Sequence, residues 1–295
     1  MKTSKIILAA AMAVLAAGCQ KEESANGRYR IFAEQMSGGS SSKVLVDASD
    51  LSAEWLAGET ININNHTYAI TDDGNGGYQV STGDDDLGST LYAIYPGGSF
   101  GGNDVEVTHT GNGTGNEVVL KSLVLNFHDG KHDVVFPMAT QGITSESTSI
   151  TFEHLTGGMK LTLHNGSDLP ITLGSLKVVA QSNSDVAPLS RNGVTCRWAV
   201  QGPTLPSDTV GQEVGDVIVS HCSEMYFKMQ TSGNTGVTIA AGRTLSFCVP
   251  VTVSSLQKIS VIGYGTTGTQ LFSKSKPVSA TIHYNVMYSI PAITL

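Results

Sequence analysis

Charge is scarce in this sequence. Asp, Glu, Lys and Arg together make up 14% of the 295 residues, and the formal net charge is −8. A nucleic-acid binder needs a basic stripe or patch, so composition excludes that class. Lysine and glutamate are few beside 33 glycines and abundant Ser and Thr, a balance that turns away from helices. Internal cysteine is scarce too. Beyond Cys19 there are only Cys196, Cys222 and Cys248. Three is odd, so at most one internal disulfide can form. Their equal spacing of 26 residues fits no zinc motif, and each lies in a strand-like run, where a buried free thiol is the plainer reading. After the first 18 residues no apolar run is long enough to cross a bilayer as a helix. No repeat of fixed period is present, which disfavours a solenoid or propeller.

What is there is a long series of short, alternating segments. Thr60-Ile61-Asn62-Ile63 alternates with period two, Asn64-Asn65 is a turn, and His66 to Ile70 is the return strand. Asp72-Asp-Gly-Asn-Gly-Gly77 is a second turn before Tyr78 to Ser81. Leu91 to Pro96 is a buried-strand run, and Val105–Thr108, Glu117–Leu120 and Leu123–Leu125 continue as separate strands of a meander. Tyr29 to Ala33 forms an isolated strand, followed by a Gly/Ser loop from Met36 to Lys43 that a protease can reach. Asp47 to Trp55 has room for one helical turn, with Trp55 packing inward. Ile150-Thr-Phe152-Glu-His154 and Met159 to Leu163 alternate again, and Asn165-Gly166-Ser-Asp168 marks the expected domain boundary. Strand-like runs fill the second half, ending in Thr281 to Ile290. The length fits one large or two medium domains, and the pattern predicts an all-β sandwich architecture.

Several catalytic-looking strings fail on context. Gly97-Gly-Ser99-Phe-Gly101 fits G-x-S-x-G, but a nucleophile elbow needs a following helix, and a strand is predicted instead. Gly263-Tyr-Gly265-Thr-Thr-Gly268 fits G-x-G-x-x-G, yet Thr269 to Phe272 reads as a strand, so a glycine-rich hairpin is expected. Asp84-Asp85-Asp86 lacks the spaced oxygen ligands of a calcium loop and reads as a solvated turn. His128 and His132 flank a turn, and His154 shares a face with Ile150 and Phe152, which suits a core histidine. No metal, no cofactor and no enzymatic activity is expected.

The N-terminus carries the first resemblance. Lys2 and Lys5 precede an apolar run from Ile6 to Ala17, and Leu15-Ala16-Ala17-Gly18-Cys19 closes it. This order resembles the lipobox of bacterial lipoproteins, in which the cysteine at the place of Cys19 is diacylated and becomes the mature N-terminus. Two or three acyl chains hold a protein on a membrane where one does not. Gln20-Lys21-Glu22-Glu23 resembles a signal for surface display on the outer membrane, a solvated linker being the plainer alternative.

Four further stretches resemble the fimbrillin-like family of the type V pilin superfamily: Trp55-Leu-Ala-Gly58-Glu59-Thr-Ile61, Tyr92-Ala-Ile-Tyr95-Pro96, Asp133 to Ala139 leading into Ile150 to Leu161, and Phe247-Cys-Val249-Pro250. The resemblance implies an all-β chain with two tandem transthyretin-like (Ig-like) sandwiches. Its parts would be a signal peptide at 1–18, a linker and removable first strand at 19–43, an N-terminal sandwich at 44–166 and a C-terminal one at 167–295. It also implies a lipid-anchored outer-membrane protein that joins cell-surface fimbriae by strand complementation. On this resemblance a protease would cut after Arg28, Arg30 or Lys43, the first strand would leave, and a neighbour's C-terminal strand would fill the groove. Here the donor candidate is Ile282, Tyr284, Val286, Tyr288 and Ile290. The partners implied are other fimbrial subunits, the outer membrane, and a host or bacterial surface ligand. Stalk and tip or accessory adhesin both stay open. The alternative from another class is a surface glycan-binding lipoprotein for nutrient capture. Such proteins use aromatic platforms, and only Trp55 and Trp198 are available, both in runs that read as core.

Overall fold

The structure is a computed structural model. It describes residues 27–33, 35–36, 40–41, 45–47, 53–55, 58–109, 115–128, 131–140, 142–182, 189–198, 222–232 and 234–295. Among these the chain is all-β, with no helix. Period-two alternation sends every second side chain inward. Ser149–His154 shows this directly, with Ile150, Phe152 and His154 buried and Thr151 exposed.

One sheet runs in the spatial order His66–Ala69, Thr60–Ile63, Ala93–Tyr95, Met138–Ala139, Ser149–His154, Arg28–Ala33, Tyr78–Ser81, Thr71–Asp72. Its two outermost strands are consecutive in sequence, separated by Ile70 alone. Ile70 is buried, and its N–H donates to the Glu59 carbonyl at 2.7 Å. The sheet therefore curls until its ends meet.

A larger sheet is ordered Gln270–Thr281, Ser255–Tyr264, Ser175–Gln181, Cys222–Thr231, Asn116–His128, Lys131–Asp133, Leu45–Asp47, Ala53–Glu54. Asn116–His128 corrects the sequence expectation, because the two runs predicted at 117–120 and 123–125 are one strand. Lys121 and Ser122, which looked like a break, continue the pleat. Lys121 reaches Glu106 at 3.0 Å, and Ser122 is buried. The strand changes partners along its length. Its first part lies between Asp104–Thr108 and Val194–Trp198, and its last part between Cys222–Thr231 and Lys131–Asp133.

A smaller sheet is built on Gly157–His164, which follows Leu155-Thr156. Every described partner of this strand comes from beyond the turn at 165–168: Thr244–Val251, Met287–Ser289 and Ile293–Thr294. Asn165 holds that turn. It is fully buried, and its Nδ2 donates to the carbonyls of Leu169 (2.8 Å) and Ile239 (2.9 Å). Most of the buried apolar side chains form one cluster reaching from Tyr29 to Ile293.

The C-terminal run also departs from expectation. Thr281 to Ile290 was predicted as a single alternating strand. Instead Gln270–Thr281 ends there, the chain turns at Tyr284 and Asn285 (φ 61°), and Met287–Ser289 begins anew. The reversal lets the chain lie parallel to Gly157–His164. Gly157 makes the crossing feasible, because a Cβ there would fall 2.7 Å from Ile282 Cγ2 and 2.9 Å from the His283 carbonyl oxygen.

Candidate functional site: the slot of the first strand

Arg28–Ala33 lies inside its sheet. It runs parallel to Ser149–His154, with Arg30 opposite Ser149 and Ala33 opposite Phe152. On its other side it is antiparallel to Tyr78–Ser81, with Tyr29 opposite Val80. Parallel neighbours need a long crossover, so this strand is inserted between segments that come much later in the chain. The Arg30 N–H donates to the Thr148 carbonyl at 3.0 Å, and the Gly27 carbonyl accepts from both the N–H (2.7 Å) and Oγ1 (3.0 Å) of Thr82.

Alternation divides the strand's side chains. Tyr29 and Ile31 are buried, while Arg28, Arg30 and Phe32 face outward. Burying Ile31 contributes about 1.5–3 kcal/mol. Burial also pushes the Tyr29 hydroxyl above its usual pKa, and that hydroxyl donates to the Ser145 carbonyl at 3.4 Å. Arg30 stands 3.8 Å from Asp73. Asp73 caps its own turn, accepting from the N–H groups of Asn75 (2.8 Å) and Gly77 (2.9 Å). Those bonds first, and Arg30 last, hold its carboxyl below the usual range. A cavity of about 650 Å³ opens beside the strand, lined by Arg30, Phe32, Trp55, Asp73 and Tyr78 among others. Phe32 is 51% exposed there.

The predicted site residues scatter. Cys19 and Lys43 lie outside the described residues, as does the Cys222 side chain. Arg28 and Arg30 sit within the inserted strand itself. Of the C-terminal candidates, Ile282 and Ile290 are buried in the protein's own core. Val286 offers its carbonyl to the Gly158 N–H at 2.9 Å. The Tyr284 hydroxyl donates to the Ser190 carbonyl at 2.6 Å, and the Tyr288 hydroxyl donates to the Thr281 carbonyl at 2.8 Å.

The rejected strings have structural roles. Ser99 Oγ accepts from the Val105 N–H (2.9 Å) and donates to the Val105 carbonyl (3.0 Å), and the strand Asp104–Thr108 follows it. Gly263 to Gly268 closes a hairpin, with the Gly265 N–H donating to the Thr269 carbonyl at 2.8 Å. Asp85 accepts from the Tyr68 hydroxyl at 2.6 Å. His132 is buried, and its Nε2 accepts from the Cys248 N–H at 2.8 Å. His128 points instead toward Asp133, 3.6 Å away. Burial raises both described thiols, Cys248 to about 12. Trp55 is buried edge-on to Tyr95, with ring centroids 4.9 Å apart, and Trp198 packs edge-on to Phe227 at 5.6 Å.

No family model matches the chain, and no curated protein matches it. Among solved structures, the chain is similar to a candidate cell adhesion protein from Bacteroides fragilis NCTC 9343. The TM-score is 0.39 and the identity 12%, over 90% of this chain and 92% of that one. It is also similar to a candidate adhesin from Bacteroides ovatus ATCC 8483, with a TM-score of 0.31 and 9% identity over 92% of each chain. Likeness at this level assigns neither fold nor role.

Proposed function

We propose that this chain is a non-enzymatic cell-surface adhesion protein of fimbrillin type, lipidated at Cys19 and displayed on the outer membrane. In this reading it has two tandem sandwiches and joins a fimbrium as a subunit or tip protein by strand complementation. The observation that carries the proposal is the placement of Arg28–Ala33. It is the first strand among the described residues, yet it fills an interior position in a sheet whose outer strands already meet. Its departure would expose N–H and C=O groups on Ser149–His154 and Tyr78–Ser81, together with the sockets of Tyr29 and Ile31. Such a gap binds an incoming alternating strand.

Geometry ranks the cleavage candidates. A cut after Arg28 leaves five of the six strand residues attached to the domain. A cut after Arg30 divides the strand. A cut after Lys43 frees it whole, so Lys43 is the site this mechanism favours. The C-terminal segment is bound into its own core through Ile282, Ile290 and Ile293, which favours a tip or accessory subunit that accepts a strand over a stalk subunit that also donates one.

The test is limited trypsin digestion of the mature chain, followed by N-terminal sequencing, native mass spectrometry and electron microscopy. The expected result is cleavage after Lys43, loss of the 28–33 peptide, and uptake of an added synthetic 28–33 peptide by the emptied slot, with no filaments from this chain alone. A cleaved chain that sheds the peptide and takes up no added strand sinks the reading.

A further inference from the structure

We propose a second site, a pocket for a single sugar unit, where the larger sheet is roofed by the loop after Pro96. Its floor is set by register. Asn126 is opposite Gln230 on one neighbouring strand and opposite Asp133 on the other. Residues in register project to the same face on strands about 4.8 Å apart, so three planar hydrogen-bonding side chains form one row. Asn126 Nδ2 donates to Asp133 Oδ2 at 3.1 Å. Over this row comes the tight turn in which Phe100 pairs with Asn103. Asn103 is pinned because its Oδ1 accepts from the Val124 N–H at 2.8 Å. The Glu59 carboxyl, 1% exposed, closes the inner wall. The enclosed cavity is about 220 Å³.

The chemistry of the lining selects the ligand class. Two carboxyls and three amides supply paired donors and acceptors at fixed spacing, which match the vicinal hydroxyls of a sugar. Phe100 and Val124 offer apolar surface for its C–H face. No lysine or arginine lines the cavity, so a phosphate or carboxylate ligand would meet only repulsion from Glu59 and Asp133. A divalent cation is served poorly. Among the described residues no three His, Cys, Asp or Glu side chains converge. Burial also lifts the Asp133 carboxyl above its usual range, the reverse of what a cation site does.

This site gives the surface reading a ligand class but does not use strand exchange, so sugar binding and polymerisation can fail separately. The experiment screens the mature chain on a glycan array, then titrates it with the matching monosaccharide and with calcium chloride by isothermal calorimetry. Asn126→Ala and Gln230→Ala are expected to weaken sugar binding at least tenfold with unchanged melting temperature. Thr172→Val, an exposed side chain outside the cavity lining, is expected to bind as wild type. Silence across the array, a heat of binding from calcium alone, or equal affinity in the Asn126 and Gln230 variants overturns the proposal.

Discussion

The sheet that holds Arg28–Ala33 brings its outer strands together across Ile70, whereas the sheet that ends in Gln270–Thr281 leaves a twelve-residue strand with one described strand partner, Ser255–Tyr264. The second sheet protects that edge chemically. Gln270–Thr281 is largely exposed and carries Lys274, Lys276 and Pro277, and its register slips opposite Leu256 and Lys258. Charge, a missing N–H and an irregular register are all ways to discourage a stray strand. The first sheet has no such protection, because its vulnerable position is occupied by part of the same chain. One edge is made unattractive, and the other position is kept filled.

The sharpest way to break this comparison is to empty the slot from within. Ile31→Asp places an unpaired charge in the interior strand and is expected to cost about 4 kcal/mol or more in urea unfolding. Phe32→Asp, on the exposed face one residue away, is expected to change stability by under about 0.5 kcal/mol. Similar losses in the two variants would mean the strand is not seated as described. At the other end, Gly157→Ala forces a methyl against Ile282 and the His283 carbonyl. A loss of about 1–3 kcal/mol is expected, read as a lower denaturant midpoint. No loss would show that the C-terminal segment is only loosely held.

A smaller effect concerns pH. His109 donates through Nδ1 to Asn62 Oδ1 at 2.9 Å, and burial depresses its pKa from 6.5 to about 4. The unfolded chain takes up this proton first as pH falls. The contribution is therefore whole above about pH 6.5, shrinks between about 6.5 and 4, and is gone below. His109→Asn keeps a donor and should flatten that part of the stability profile. An unchanged slope between pH 6.5 and 4 would assign it to other groups. The smallest effect is at the guarded edge. Lys274→Val with Pro277→Val should leave the monomer's stability within about 0.5 kcal/mol but produce concentration-dependent association in sedimentation. A strictly monomeric variant would remove the guarding role.

Local pattern was legible in the sequence, and long-range pairing was not. Alternation at 60–63, 78–81 and 149–154 is where strands stand, and the turns at Asn64-Asn65, Asn165 and Gly265–Gly268 are where the chain reverses. A meander of hairpins, however, predicts antiparallel neighbours. The structure instead has parallel pairs, among them Arg28–Ala33 on Ser149–His154 and Met287–Ser289 on Gly157–His164. Nothing within a short segment encodes a partner more than a hundred residues away. The same limit hid the row Gln230, Asn126, Asp133, which exists only through the register of three strands. The break at Asn285 was missed for a related reason. Alternation of apolar residues looks the same whether the chain runs straight or turns to bury both ends.

Because Arg30 finds its parallel partner at Ser149, that side of the strand has nothing to pair with until more than a hundred further residues have been made. Loop closure over such a distance is slow compared with forming a hairpin. Until Ser149–His154 has been made, Arg28–Ala33 has only Tyr78–Ser81 beside it. The order in which this polypeptide emerges therefore sets a period in which the strand is held along one edge alone, its other N–H and C=O groups open to any strand that comes near.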